Sequence, residues 1–186
     1  NNSDSFIEIA TTRPETMLGD TAIAVNPKDN RYKQMIGKTA SLPLVGRNIP
    51  IIADSMVDPE FGTGCVKITP AHDLNDYEVG IRHNLEIINI MNSDGSISNK
   101  APDKYVGLSR EGARKKIVND LKDLGHLSKE EEYLHKVGFS ERGDVPIEYY
   151  LSEQWFLKMK DLAMPASKAV KDKEINFYPN HWVKTY

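Results

Sequence analysis

At 186 residues the chain is long enough to bury one core without staples, and a single cysteine, Cys65, excludes both an internal disulfide and a thiolate metal cluster. A net charge of −3, with 39% hydrophobic and 27% charged residues, neither demands nor excludes nucleic acid as a partner. No apolar run approaches membrane-spanning length and the polar start Asn1-Asn2-Ser3-Asp4 has no signal-peptide character, so the expectation is a soluble, cytoplasmic chain with no membrane partner.

Taken in order, Phe6 to Ala10 reads as a strand of mixed polarity that ends at Thr11-Thr12-Arg13-Pro14-Glu15-Thr16. Thr12 with Glu15 three residues on matches a capping box, and Pro14 suits a first helical turn, so a short helix is expected with amide groups exposed at its tip. The alternative is that Thr12 and Glu15 merely satisfy one another while Arg13 is solvated. Gly19-Asp20-Thr21 then turns into the apolar strand Ala22 to Val25, which Asn26-Pro27 ends. A short helix is expected from Asp29 to Ile36, and Leu42 to Ile52 reads as strands joined by a turn. So many short segments point to a barrel or a tightly coiled sheet rather than a doubly wound fold.

Chemistry is densest from Phe61 to Tyr77. Cys65, Lys67 and Thr69 alternate with Val66 and Ile68, so a strand here sets a cation and a hydroxyl on one face. Pro70 cannot continue a central ladder, and Asp73 with Asp76 three residues on resembles a helix start. The turn between strand and helix would gather Lys67, Thr69, Asp73 and Asp76 beside free helix amides. Taken singly, each has a plainer reading as a cap or a solvated strand residue. Phe61-Gly-Thr-Gly is not a phosphate loop, because no Gly-Lys-Ser/Thr follows and the strand comes after the glycines. The glycines instead allow a bend where the backbone approaches a ligand or another strand.

Further on, Ile87 to Met91 reads as a strand and Asn92-Ser93-Asp94-Gly95 as a turn closing a hairpin onto Ser96-Ile97. Ser109 to Leu124 is the clearest amphipathic helix, with Ala113, Ile117, Leu121 and Leu124 as its apolar stripe and Gly125 as its stop. Its basic face, Arg110, Arg114, Lys115, Lys116 and Lys122, either meets an RNA backbone or is solvated, and Asp120 and Asp123 favour the second. The aromatic stretch Tyr149 to Phe156 is a core plug or an interface. Pro165 interrupts a helix-prone tail, and His181 to Tyr186 shows no C-cap, as at an excision point. The histidines lack zinc-ligand spacing, so no metal or other cofactor is expected.

Thr11-Thr12-Arg13-Pro14-Glu15-Thr16-Met17-Leu18-Gly19-Asp20-Thr21-Ala22, with Gly62-Thr63-Gly64 and Lys67-Ile68-Thr69-Pro70-Ala71-His72-Asp73 running to Asn75-Asp76-Tyr77-Glu78-Val79-Gly80, resembles the editing domain of the valyl-tRNA synthetase family. The likeness extends over Val25-Asn26-Pro27, the Arg114-Lys115-Lys116 helix and Leu151 to Phe156. Related isoleucyl and leucyl domains share the Thr-Thr-x-Pro and Gly-Thr-Gly elements, but Glu15 to Asp20 and Lys67 to Pro70 look valyl. The resemblance implies an α+β fold, a small closed β-barrel with surrounding helices inserted in a class I synthetase. On this reading 1–150 is the editing domain and 151–186 an extension returning towards the catalytic domain, whose ATP-binding signatures the chain lacks.

The resemblance also implies hydrolysis of mischarged threonyl-tRNA(Val), and of threonyl-adenylate as a second substrate. Valyl-tRNA synthetase facing threonine is itself the standard illustration that an apolar pocket rejects this isostere only weakly and needs a second hydrolytic sieve. Asp76 would anchor the substrate ammonium, Lys67 and Thr69 would bind the hydroxyl or carbonyl side, and Asp73 would orient neighbours or contact the hydroxyl. Thr11, Thr12, Arg13 and Thr16 would hold the terminal adenosine, with Phe61 as an apolar wall. His72 either contacts this region as a base or positions the loop. The implied partners are the aminoacylated 3′ end of tRNA(Val) and the remainder of the synthetase chain, with the domain itself a monomer. The competing reading is a non-catalytic module that docks the tRNA acceptor end. Two departures stand out. Ser140-Glu141-Arg142-Gly143 lacks the cysteine pair of some relatives, which removes any case for zinc there, and Cys65 stands where relatives commonly have alanine.

Overall fold

The computed structural model describes residues 5–185, so the polar start at 1–4 and Tyr186 lie outside the described residues. Contacts divide the chain into two compact units, Asn1–Leu151 and Ser152–Tyr186.

The first unit is built on an open four-stranded sheet in the order β2-β3-β1-β4, where β1 is Ala22–Val25, β2 Thr39–Ser41, β3 Asn48–Ala53 and β4 Cys65–Ile68. β1 runs parallel to β3 and antiparallel to β4, while β2 and β3 form a hairpin. The sheet does not close, which corrects the expectation of a closed barrel. Its outer strands, β2 and β4, hold three and four residues. Four short strands turning by about 20–25° each do not bring such edges together.

Alternation along the central strand sorts two cores. Ile23 and Val25 face one side with Ile49, Ile51, Leu42 and Cys65. Ala22 and Ala24 face the other with Ile68, Val57 and Val79. The two alanines leave room for helix α1 (Leu74–Arg82), whose Val79 is fully buried there. Helix and strand end are keyed together more tightly still, since a Cβ added to Gly80 would lie 2.9 Å from the Pro70 ring. A third core joins Leu18, Ile88, Ile90, Ile97 and Tyr105 to the buried stripe Ala113, Ile117 and Leu121 of α2 (Arg110–Asp123).

Several expected elements form as read. Asp73 caps α1 by accepting the Asn75 and Asp76 amides, and Ser109 caps α2 by accepting that of Gly112. Gly125 follows α2 at φ +71, although Leu124 is 56% exposed and so leaves the apolar stripe. Other elements do not form. Phe6 to Ala10 joins no ladder, and only Ile7 and Ile9 pack against the core. Asp29 to Ile36 is a series of turns, because the Asp29 carboxylate takes the Arg31 amide and guanidinium and competes with helix formation. Ile87 to Met91 pairs only at Met91 with Ile97, and two of its amides go to side chains: Ile90 N–H to His72 and Met91 N–H to Asn89.

In the second unit α3 (Met159–Lys171) buries no residue and carries Pro165 in its interior, so the proline does not interrupt the helix. Trp155 is 91% and Phe156 87% exposed, so these rings do not serve as a core plug. Among the described residues, no helix is long and apolar enough to cross a membrane.

Candidate active site

The site is assembled where β4 ends. Alternation puts Lys67 and Thr69 on one side, and the Lys67 ammonium donates to Thr69 Oγ1 at 2.5 Å, Thr16 Oγ1 at 2.8 Å and Asp20 Oδ1 at 3.2 Å. Thr69 donates in turn to Asp20 Oδ1 at 2.5 Å. One cation, two hydroxyls and one carboxylate therefore form a closed polar cluster, with Asp20 only 2% and Thr69 1% exposed. Burial raises the Asp20 carboxyl above its usual range, opposed by the Lys67 charge and the Thr69 hydroxyl. Asp20 is held from behind by Arg47, whose guanidinium donates to the carbonyls of Leu18 and Asp20.

Asp76, one turn into α1, reaches back to accept the Thr69 amide at 2.9 Å. Its carboxyl is pushed up to about 6, chiefly by burial, with the neighbouring carboxylates of Asp73 and Asp20 adding to the effect and the Thr69 amide and Lys67 opposing it. Asp73 is spent as the cap of α1 and accepts the Asn75 and Asp76 amides at 2.8 and 3.1 Å. His72 is fully buried. Its Nε2 accepts the Ile90 amide at 3.1 Å, which places the proton of the neutral ring on Nδ1. Nδ1 has no partner in hydrogen-bond geometry. Burial, with Arg13 and Lys67 nearby, lowers His72 to about 4. At neutral pH it is an uncharged support whose lone pair is already taken, an arrangement that suits loop positioning rather than general-base work.

The Thr-Thr-Arg-Pro-Glu-Thr stretch forms a 3₁₀ turn, Pro14–Gly19, that starts without a side-chain cap. Glu15 makes no capping box. It is fully buried and accepts two hydrogen bonds from Arg114 of α2, at 2.8 and 2.9 Å. Arg13 donates to the His72 carbonyl at 2.7 Å and also to Glu148, which accepts from Arg110 at 2.5 Å. The two arginines of the basic helix face thus bind carboxylates within the domain. Thr16 belongs to the Lys67 cluster, whereas Thr11 and Thr12 are exposed and Thr11 Oγ1 accepts only the Arg13 amide. Phe61 is 67% exposed, and its neighbour Gly62 lies against Ala10, so this loop borders the start of the Thr11 stretch.

Gly64 closes that loop at φ +79, and an added Cβ would lie 2.9 Å from the Pro59 carbonyl oxygen and 2.2 Å from Arg31 Nη2. The arginine end could swing aside only by leaving Asp29 and Pro59, and the carbonyl cannot. Gly64→Ala is expected to cost about 2–4 kcal/mol from the left-handed backbone and the overlap together, read from the urea midpoint.

Among the described residues, no group of three or more His, Cys, Asp or Glu side chains could hold a metal. Two surface concavities of about 250–260 Å³ are lined by none of the cluster's own residues, one along Asp94, Ser96 and Arg110, the other along Thr21, Arg47 and Leu85 behind Asp20. Of the residues singled out in the sequence, Lys67, Thr69, Thr16, Asp73, Asp76, His72 and Arg13 fall in one bonded neighbourhood, with Thr11 and Thr12 exposed next to Arg13 and Phe61 exposed on its own loop. Sequence reasoning missed Asp20, Glu15 with Arg114, and Glu148. Asp20 did leave a signal: a carboxylate two residues before the apolar strand Ala22 to Val25 must find its counter-charge elsewhere.

A family model described as the leucyl-tRNA synthetase editing domain matches residues 29–113. The valine–tRNA ligase of Clostridium tetani is 59% identical over 185 residues, covering 100% of this chain and 21% of its own. That of Chlorobaculum tepidum is 57% identical over 180 residues, covering 97% of this chain and 20% of its own. The chain belongs to the editing domains of the valine–tRNA ligase family. This editing domain spans about one fifth of the length of those ligases. Its fold recurs in a ternary complex of Agrobacterium radiobacter K84 agnB2 LeuRS with tRNA and LeuAMS, at TM-score 0.50 and 23% identity over 66% of this chain and 18% of that one. It recurs also in GlLeuRS-CP1, at TM-score 0.50 and 15% identity over 68% of this chain and 83% of that one. The mixed α+β editing-domain architecture is therefore shared, with an open sheet here.

Proposed function

We propose that this domain hydrolyses the ester of threonine mischarged on tRNA(Val), and threonyl-adenylate by the same chemistry. The observation that carries the reading is the buried Lys67, Thr69, Thr16 and Asp20 cluster beside Asp76, a polar lining where a pocket for valine would be apolar. A threonine hydroxyl can enter this network. There it can replace one of the internal hydrogen bonds, which a valine methyl cannot, a difference of about 1–3 kcal/mol. Asp76 takes the substrate ammonium, the Lys67 and Thr69 groups take the hydroxyl or carbonyl oxygen, and Asp73 keeps Asp76 in place through the helix cap. Thr11, Thr12 and Arg13 hold the terminal adenosine and Phe61 walls it, with Thr16 joining both subsites. Water then adds to the ester carbonyl, the bond to the ribose oxygen breaks, and that oxygen leaves with a proton. The chain contributes placement and charge stabilisation.

On this reading 1–150 is the editing body, 151–186 leads back towards the rest of a synthetase, and the domain works in the cytoplasm on the tRNA acceptor end. A pure docking role fits less well, since Arg110 and Arg114 of the basic helix are paired with Glu148 and Glu15. Threonyl-tRNA(Val) and valyl-tRNA(Val) given to the domain separately decide the matter: selective loss of the threonyl ester is expected, and equal rates or none would count against editing by this chain.

The pH dependence has a definite sign. An ammonium needs an ionised Asp76, whose carboxyl is raised from 3.8 to about 6 in the folded protein. kcat/KM for threonyl ester is expected to fall about tenfold per unit as pH drops below about 6, following the free enzyme. Stability changes the other way for this group: protonated Asp76 favours the fold below pH 4, and that contribution is lost as pH rises through 6. His72, lowered to about 4, opposes it, its contribution being present above 6.5 and lost as pH falls through 4. Between pH 4 and 6 the two contributions to stability nearly cancel, so stability is expected to change little while activity falls.

A further inference from the structure

We propose that Glu148 is a positioning residue that sets the spacing between the two halves of the editing site; this rests on the editing reading above. The two halves come from distant stretches, the Thr11 to Thr16 turn and the Thr69 to Asp76 loop and helix. Arg13 spans them, its backbone in the first and its Nη1 on the His72 carbonyl of the second at 2.7 Å. That carbonyl immediately precedes Asp73, the cap of α1, and α1 carries Asp76. A long, flexible arginine holds such a bridge only if its guanidinium plane is fixed from another direction. Glu148 does this. One oxygen accepts from Arg13 Nη2 and the other from Arg110 Nη1 at 2.5 Å, with the three side chains only 18–27% exposed.

The carboxylate is itself anchored. Ile147, just before it, donates its amide to the Gly138 carbonyl at 2.9 Å, and Phe139 bridges to Pro146, so Glu148 leaves a two-stranded ribbon. The ribbon therefore connects through Glu148 to Arg13, then to the His72 carbonyl and the start of α1. Both Nη atoms of Arg13 are committed in this arrangement. The turn offers the adenosine its threonines and the Arg13 backbone in a fixed place, while the Arg13 guanidinium is spent on holding that place.

The test separates this role from a simple fastening of the ribbon. Because Arg13 lies at the nucleotide end of the turn, and Thr16 stays held by Lys67, Glu148→Ala is expected to raise KM for threonyl-tRNA(Val) roughly tenfold with kcat changed less than about twofold. Glu148→Gln, which keeps one hydrogen bond without charge, falls between. Glu141→Gln, an exposed change in the same ribbon, stays at the wild-type value. Combining Arg13→Met with Glu148→Ala raises KM no further than Arg13→Met alone, since both break one bridge. Amide exchange gives a readout that needs no activity: the Thr16 amide, bonded to the Arg13 carbonyl, exchanges faster in Glu148→Ala. Additive KM effects, or loosening confined to the Ser140 and Ile147 amides with Thr16 unchanged, would overturn the proposal. If the wild type hydrolyses no threonyl ester, it is the editing reading that fails, and exchange at Thr16 alone then decides on Glu148.

Discussion

Asp76→Asn is expected to lower kcat/KM for threonyl-tRNA(Val) by about 10²–10³-fold while leaving the fold at least as stable as before. The asparagine has the same shape and can still accept the Thr69 amide, now bonded to Asp76 Oδ2 at 2.9 Å. It cannot offer the ammonium a negative charge, and an amide nitrogen turned towards that cation repels it. Stability should respond in the opposite sense to activity. The carboxyl is raised from 3.8 to about 6 by burial, so keeping it ionised at neutral pH costs the fold about 3 kcal/mol by linkage. Removing the charge relieves that cost. Single-turnover hydrolysis and urea unfolding on the same protein check both halves, and a variant that is equally active, or inactive because unfolded, would remove Asp76 from its assigned place.

Lys67→Met is the second large effect, and here activity and stability fall together. The ammonium is the counter-charge for Asp20, which is 2% exposed, and its loss strands a buried carboxylate at a cost of about 3–5 kcal/mol. Asp20 already binds its proton more tightly than an exposed carboxyl, and without Lys67 it should do so more strongly still. Protonation then rescues the variant in acid, so its deficit is largest at high pH and shrinks as pH falls. Adding Asp20→Asn to Lys67→Met should recover much of the stability, because no buried charge remains, yet none of the hydrolysis. Thermal unfolding at pH 5 and 8 distinguishes this from loss of packing, which would be insensitive to pH.

What could be read in the sequence was local. The sides of β4, the stop at Pro70 and the cap at Asp73 depend on neighbours within a few residues, and each forms as the pattern dictates. The same holds for α2 up to Leu121. Local patterns misled where a side chain had a better partner far away. Glu15 sits three residues after Thr12, at capping-box spacing, but Arg114 lies 99 residues on and holds it with two hydrogen bonds. Arg13 and Glu148 are 135 residues apart, and nothing near either announces the other. Ile87 to Met91 has strand composition, but His72 and Asn89 take amides that a ladder would need. Closure of a sheet is likewise not a local property. The short segments point to a barrel or a coiled sheet and the resemblance implies a closed one, and strand lengths visible only in the fold overrule the closure.

The contact between Gly80 and the Pro70 ring bears on how finely this site can be tuned. Asp76 and Gly80 are one helical turn apart, and Pro70 directly follows Thr69, so the two polar residues and the two apolar ones form the corners of one small frame. Any side chain at Gly80 wedges the helix away from the strand end and lengthens the reach from Asp76 to the Thr69 amide. On the editing reading, selectivity for one hydroxyl would have a mechanical tolerance, set by the fit of this glycine against this proline. Adjusting that pair would regrade the sieve without altering a single polar group in it.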